Sequence, residues 1–270
     1  MGGPQQVFES RELLIALTLR ELQTKYRGSF LGWSWSLLNP IATLAIYGFV
    51  FGILFGAQAP IGENSNLTGF AWFLLCAIIP WNFFAVVNNV GLAAVTDNSA
   101  LVRRVAFPRE ILVFSNVVFA LVQFGIELVV LCSILLVVAG APILPYLPLV
   151  ALLGIVLAIF SSGIALALSC FAVYFRDLKY LWTNALQIWF FITPVVYPPS
   201  LAESQLPNWA QTLLQINPMV HFVGAFRDLL YHAQIPDIQR SGIVVLSALV
   251  SLAIGWSVFN RLSPRLPEEV

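Results

Sequence analysis

Residues Phe70–Val95 read FAWFLLCAIIPWNFFAVVNNVGLAAV, an apolar run with no Asp, Glu, Lys or Arg in it. Bilayer hydrocarbon is about 30 Å thick, so a helix needs roughly 20 apolar residues to cross it. This run is long enough, and it is not alone. Working outward, Leu31–Phe55 precedes it, and Ile111–Ala139, Leu147–Val173, the shorter Leu181–Tyr197 and Gly242–Asn260 follow. A chain in lipid must satisfy its backbone groups internally, which makes such spans helical. The sequence therefore predicts an all-α integral membrane protein with six transmembrane helices.

Composition agrees and removes other classes. Of 270 residues, 59% are hydrophobic and 10% charged, against roughly 25% charged in ordinary soluble domains. Thirteen basic and thirteen acidic residues leave no net charge to hold a polyanion, so no nucleic-acid partner is expected. Cys76, Cys132 and Cys170 all lie in apolar spans without ligand-like spacing; they read as core residues, not as disulfides or a metal site. No cleavable signal peptide is expected, because Glu9–Arg27 is polar and charged before the first apolar run.

The cations set an orientation. Arg11, Arg20, Lys25 and Arg27 precede span one, and Arg103, Arg104 and Arg109 lie between spans two and three. Arg176 and Lys179 separate spans four and five, and Arg261 and Arg265 follow span six. Only Arg227 and Arg240 fall on the opposite side. Both termini are thus predicted to be cytoplasmic. The division is residues 1–30 with an N-terminal amphipathic interface helix, 31–260 as the six-helix domain, and 261–270 as a cytoplasmic tail.

Three polar segments carry the remaining information. The first, about Arg11 to Arg27, has Ser10 as a cap, Glu12 at its positive end and Gly28 placed to end it. Ile15, Leu19, Leu22 and Tyr26 recur at helical spacing, a stripe suited to the membrane interface. Trp33 and Trp35 mark the level where span one enters. The second segment, Thr96–Glu110, reads TDNSALVRRVAFPRE, a short lever between two spans with Pro108 suited to a helix start. The third, about 198–238, is external and semi-apolar, with Pro207 and Pro218 as helix starts. Short re-entrant helices between spans five and six fit it best.

Catalytic chemistry is not indicated. The phosphate-binding pattern GxxxxGK[ST] needs Lys before Ser or Thr, and both Lys25 and Lys179 precede Tyr. His221 and His232 read as helix surface in the external segment. Glu127 is the carboxylate deep in a span, with Gln123 one turn earlier on the same side. An ionised carboxylate at that depth costs on the order of 2.5–3.5 kcal/mol, so it must face protein or water. An interhelical hydrogen bond is favoured over a proton-coupling site. Aromatics are the larger signal. Tyr47, Phe51 and Phe55 recur at i, i+4, i+8, and span five carries Trp182, Trp189, Phe190, Phe191 and Tyr197. Such faces give non-directional contact to sugar C–H faces, although core packing produces the same stripes.

Six runs in order carry a family resemblance: Leu17–Pro40 (LTLRELQTKYRGSFLGWSWSLLNP), Pro80–Phe84 (PWNFF), Phe107–Ile111 (FPREI), Tyr174–Tyr180 (YFRDLKY), Thr193–Pro198 (TPVVYP), and Asn217–Met219 (NPM) followed by Ala225–Asp228 (AFRD). In these the chain resembles the permease of ABC type-2 exporters, in the branch that exports lipid-linked polysaccharide: Wzm for O-antigen, TagG and TarG for teichoic acid, and the capsule permeases. The resemblance implies a bacterial inner-membrane homodimer enclosing a channel for a polyprenyl-linked glycan. It also implies two separate ATPase subunits that bind ATP and Mg, with no cofactor in this chain. Coupling would fall to Arg20 and Lys25 on the N-terminal helix and to Asp97, Asn98, Arg103, Arg104 and Arg109. The channel lining would be Tyr47, Phe51, Phe55, Trp182, Trp189 and Phe190, and the external gate Tyr197, Asn217, Pro218 and Arg227. Rival readings are an exporter of small hydrophobic drugs, a proton-coupled carrier centred on Glu127, and a non-transporting scaffold.

Overall fold

The computed structural model describes residues 10–26, 34–56, 59–105 and 107–266; the predicted marks Arg27, Gly28 and Trp33 lie outside them. Among the described residues there is no strand. The helices are α1 (Arg11–Tyr26), α2 (Ser34–Tyr47, continued by a π-helix over Gly48–Leu54), α3 (Phe70–Asp97), α4 (Ser99–Arg104) and α5 (Glu110–Val137). A 3-10 turn at Leu144–Tyr146 leads into α6 (Leu147–Tyr174). There follow α7 (Leu178–Ile192), α8 (Pro199–Gln205), α9 (Asn208–Ile216), α10 (Pro218–Leu230) and α11 (Ile238–Leu262), closed by a 3-10 turn at Ser263–Arg265.

Among the described residues four helices are long and apolar enough to cross a membrane: α3, α5, α6 with its leading turn, and α11. Two elements at predicted spans are shorter. The π-helix at the end of α2 is visible in the Phe55 N–H, which donates to the Val50 carbonyl five residues back at 3.0 Å. Helix α7 starts before the predicted fifth span and stops at Ile192, short of Tyr197. The reason is local: Pro194 disfavours helical geometry at the residue before it, and Thr193 is extended at φ −81, ψ 131.

The segment predicted to be external contains α8, α9 and α10, each begun by a proline. Pro199 opens α8, Pro207 caps α9, and Pro218 stands at the start of α10, where a missing N–H costs nothing. Helix α10 is buried through Met219, Phe222, Val223, Phe226 and Leu230. Its rings complete a stack through the bundle: Phe83 on Phe124 at 4.6 Å, Phe84 on Phe160 at 5.7 Å, and Phe160 on Phe222 at 5.1 Å between centroids.

Helix α1 corrects a sequence expectation. One apolar stripe was predicted, but Leu17 and Thr18 are buried against the protein while Ile15 and Leu19 are exposed on another side. The Thr18 hydroxyl donates to the Leu14 carbonyl at 2.8 Å and lies 3.4 Å from the Ser115 carbonyl of α5. Helix α1 thus has two apolar faces, one already used by α5.

Helices α6 and α11 cross with their backbones in close approach. A Cβ at Gly255 would overlap the Gly163 backbone, and one at Gly163 would overlap the backbone of Ser251. The Ser251 hydroxyl donates across the crossing to the Phe160 carbonyl at 2.8 Å. Small residues let helices pack this closely in lipid. Gly255→Ala is expected to destabilise the protein by about 1–3 kcal/mol, the usual cost of overpacking. Gly242→Ala, where a Cβ meets open space, should leave thermal unfolding in detergent unchanged. Equal melting of the two variants would contradict the crossing.

Candidate functional site

The residues singled out in the sequence gather in three places. At the end carrying α1 and α4, Arg20 Nη2 donates to the Asn98 side-chain oxygen and to Glu21, each at 2.8 Å. Asn98 Nδ2 donates back to the Ala94 carbonyl at 2.9 Å, so this residue joins α1 to the end of α3. Helix α4 is anchored by buried Val102, and Arg103, Arg104 and Asp97 are exposed. Arg109 is engaged differently: its Nη1 donates to the Ser263 carbonyl at the end of α11. The Lys25 side chain lies outside the described residues. The short lever between α3 and α5 is therefore tied to α1 on one side and to α11 on the other.

The aromatic residues divide. Tyr47 stacks on Phe51 with centroids 5.8 Å apart and planes at 14°; Phe51 also meets Phe55 at 5.8 Å and Phe70 of α3 at 5.4 Å. Phe55 is 72% exposed at the end of this row. On α7, Trp189 packs edge-on against Phe84 at 5.1 Å, Trp81 at 6.4 Å and Trp182 at 6.4 Å, while Phe190 meets Trp81 at 5.5 Å. Trp182, Trp189 and Phe190 are thus half-buried against the bundle. The free aromatic surface of α7 is instead Tyr180 and Phe191, and on the π-segment it is Phe49. Residue type could not separate these from their neighbours. The signal lay in direction, which depends on where α7 meets α3.

The third cluster lies where α7 ends. Asn217 caps α10, its side-chain oxygen accepting the Met219 N–H at 3.1 Å. The same oxygen accepts from Trp189 Nε1 at 2.8 Å, and Asn217 Nδ2 donates to the Thr193 hydroxyl at 3.0 Å. Arg227 is 3% exposed. It donates to the Pro194 carbonyl at 2.5 Å, the Val195 carbonyl at 2.7 Å and the Phe73 carbonyl at 3.3 Å, with its guanidinium 3.6 Å above the Phe73 ring. Burial pulls the Arg227 guanidinium down to about 9, which leaves it charged at neutral pH. The Tyr197 hydroxyl lies 3.0 Å from the Phe191 carbonyl and 3.2 Å from that of Ile192, either of which it can donate to. Runs TPVVYP, NPM and AFRD, separate in sequence, form one junction.

That junction is closed over by the loop before α3. The Tyr231 hydroxyl sits between the Pro60 and Leu67 carbonyls at 2.8 and 2.9 Å, and burial pushes its phenol up to about 12. Asn64 N–H donates to the His232 carbonyl at 3.0 Å. His221 lies 2.7 Å from the Gln215 carbonyl. Thr193, Pro194, Val195 and Phe73 were not anticipated as partners of the gate residues. Deeper in the bundle, buried Glu127 accepts from Gln123 Nε2 at 3.2 Å.

Comparison with known proteins places this geometry. The chain is 29% identical to the O-antigen export system permease protein RfbA of Myxococcus xanthus over 266 residues, covering 98% of this chain and 96% of that protein. It is 26% identical to the RfbA permease of Klebsiella pneumoniae, over 95% of this chain and 94% of that one. It is 25% identical to the polysialic acid transport protein KpsM of Escherichia coli, over 94% and 95%. The profile of the ABC-2 type transporter family matches residues 12–231, from the second residue of α1 to the end of α10. The chain belongs to the ABC-2 type transporter membrane family.

Proposed function

We propose that this chain is the permease subunit of an ATP-driven exporter of lipid-linked polysaccharide, of the O-antigen or capsule kind. The observation that carries the reading is likeness over the whole chain, gate and lever included, to the O-antigen permease of Myxococcus xanthus. In this reading α2 and α7 join the four long helices as spans one and five, giving six spans in the bacterial inner membrane with both termini cytoplasmic. Two copies enclose the channel, and two ATPase subunits bind ATP and Mg below it. Helix α1 lies in the membrane interface, Ile15 and Leu19 toward lipid. Residues 97–109 with Arg20 and Lys25 form the coupling face. Tyr47, Phe51, Phe55, Trp182, Trp189 and Phe190 belong to the glycan path, and Tyr197, Asn217, Pro218 and Arg227 to the outer gate. ATP-driven closure below moves the tied lever, and the spans move with it as rigid bodies.

Depletion of the chain in its host, followed by mass spectrometry of inner-membrane lipids, tests the class. Accumulation of a long polyprenyl-linked glycan is expected. Unchanged glycolipids together with new drug sensitivity would replace the reading with export of small hydrophobic compounds.

A further inference from the structure

We propose that the cavity between α3 and α5, lined by Asn82, Asn89, Gln123 and Glu127, is a binding subsite for carbohydrate hydroxyls in the wall of the export conduit. The inference rests on the export reading and adds the place and chemistry of one contact. The cavity measures about 240 Å³, room for several waters or one sugar ring. The Phe83–Phe124 stack sets the pairing of the two helices, and both rings line the same cavity. Asn82 and Asn89 are two turns apart on one face of α3, and Gln123 and Glu127 are one turn apart on α5. Pro80 lies just before Asn82 and interrupts the α3 hydrogen-bond ladder there.

Depth is the first argument. These side chains sit in the interior of two helices long enough to span, with Asn89 exposed and Asn82 and Gln123 half-buried. Such groups turned to hydrocarbon are costly, so this face opens on water or on another polar surface. Ligand chemistry is the second. Amides offer a donor and an acceptor each, and a carboxylate accepts at two oxygens. Together they match hydroxyl groups, each both donor and acceptor. The cavity has no Arg, Lys or His among its described lining, so a phosphate finds no cation there. Its single carboxylate is too few for a divalent cation. Phe83 and Phe124, also in the lining, supply apolar contact for a ring's C–H groups.

The test uses the permease in complex with its ATPase, in the host. Asn82→Leu, Gln123→Leu and Glu127→Leu are expected to assemble and hydrolyse ATP as wild type while surface glycan falls at least tenfold. Glu127→Gln, which keeps hydrogen-bonding atoms, should retain most export. Leucine variants that export normally would overturn the subsite and leave the export reading intact. Glu127→Gln as damaging as Glu127→Leu would make the carboxylate a titrating group and overturn it too. A wild-type chain whose depletion accumulates no glycan defeats the export reading itself. Should the leucine variants fail to fold, Asn82→Cys and Asn89→Cys decide the matter with a membrane-impermeant methanethiosulfonate. Labelling that purified glycolipid slows several-fold supports the subsite, and absence of labelling overturns it. Cys76, Cys132 and Cys170, at 0%, 8% and 0% exposure, give a low background.

Discussion

Replacing Arg227 with leucine is expected to destabilise the folded permease more than any other single change considered for its outer junction. The guanidinium is the point at which α10, the end of α7 and the start of α3 meet, through the Pro194, Val195 and Phe73 carbonyls and the Phe73 ring. Among the described residues no carboxylate pairs with it; the neighbouring Asp228 is paired with Arg240 instead. The charge is held by carbonyl dipoles and a ring face in a site from which water is nearly excluded. Leucine is shorter and has no donor, so those carbonyls would be left buried and unsatisfied, each at a cost of about 1–3 kcal/mol. The losses at Pro194 and Val195 alone, the two shorter bonds, come to about 4 kcal/mol, a large share of the roughly 5–15 kcal/mol that holds a typical protein folded.

The measurement is melting of the purified permease in detergent, with Arg227→Lys and Arg240→Leu beside it. Arg227→Leu should melt roughly 10 °C below wild type, if folded material is recovered at all. Arg227→Lys should fall between, since an ammonium is a point charge that lacks the planar fork reaching two carbonyls at once. Arg240→Leu should cost about 1 kcal/mol or less, because its pair is partly solvated. Wild-type melting of Arg227→Leu would show that the buried cation is not what holds the junction.

The contrast between Arg227 and Arg240 shows where the sequence stops speaking. Both were visible as cations on the sparsely charged side; the resemblance put Arg227 at the gate, but nothing in the local pattern showed that it would be buried and Arg240 partly exposed. Hydropathy located α3, α5, α6 and α11 because a span's length and composition are local properties that the bilayer dictates. Prolines gave the starts of α9 and α10 for an equally local reason. Direction is a different matter. Trp189 and Phe190 were marked by residue type, and their contacts with Trp81, a neighbour more than a hundred positions away in sequence, could not be read from the local pattern. Tyr47, Phe51 and Phe55 were placed on one face by α-helical spacing, while the chain over Gly48–Leu54 is wound as a π-helix. The rings still meet, but the exposed member is Phe55 and the one packed on α3 is Phe51. Asn82 and Asn89 were plain in the sequence; only the pairing of α3 with α5 turns them toward Gln123 and Glu127.

Reversing both charges on α4 is expected to separate ATP hydrolysis from export. Arg103 and Arg104 sit at the end of a six-residue helix, exposed, while Val102 between them and the bundle is buried. The helix is therefore fixed from above and presents cations below. It is tied at both ends: Arg20 links Asn98 at its start to α1, and Arg109, just beyond it, is bonded to Ser263 at the foot of α11. A push on α4 reaches α1, α3, α5 and α11 together, which is the property a coupling element needs. Glutamate at both positions reverses the charge that the proposed coupling face presents to its ATPase partner, and a charge mismatch across an interface costs several kcal/mol. Coupling free energies between sites run about 1–3 kcal/mol, so losing this one should lower export roughly 5–150-fold. Basal ATP hydrolysis by the co-purified complex should persist, because the substitution touches no nucleotide site. Arg11→Glu, on the same side but at the far end of α1, should export normally. Normal export by the double variant would remove α4 from the coupling path. Loss of the complex altogether would make these arginines a docking anchor, with the transmitted push carried elsewhere.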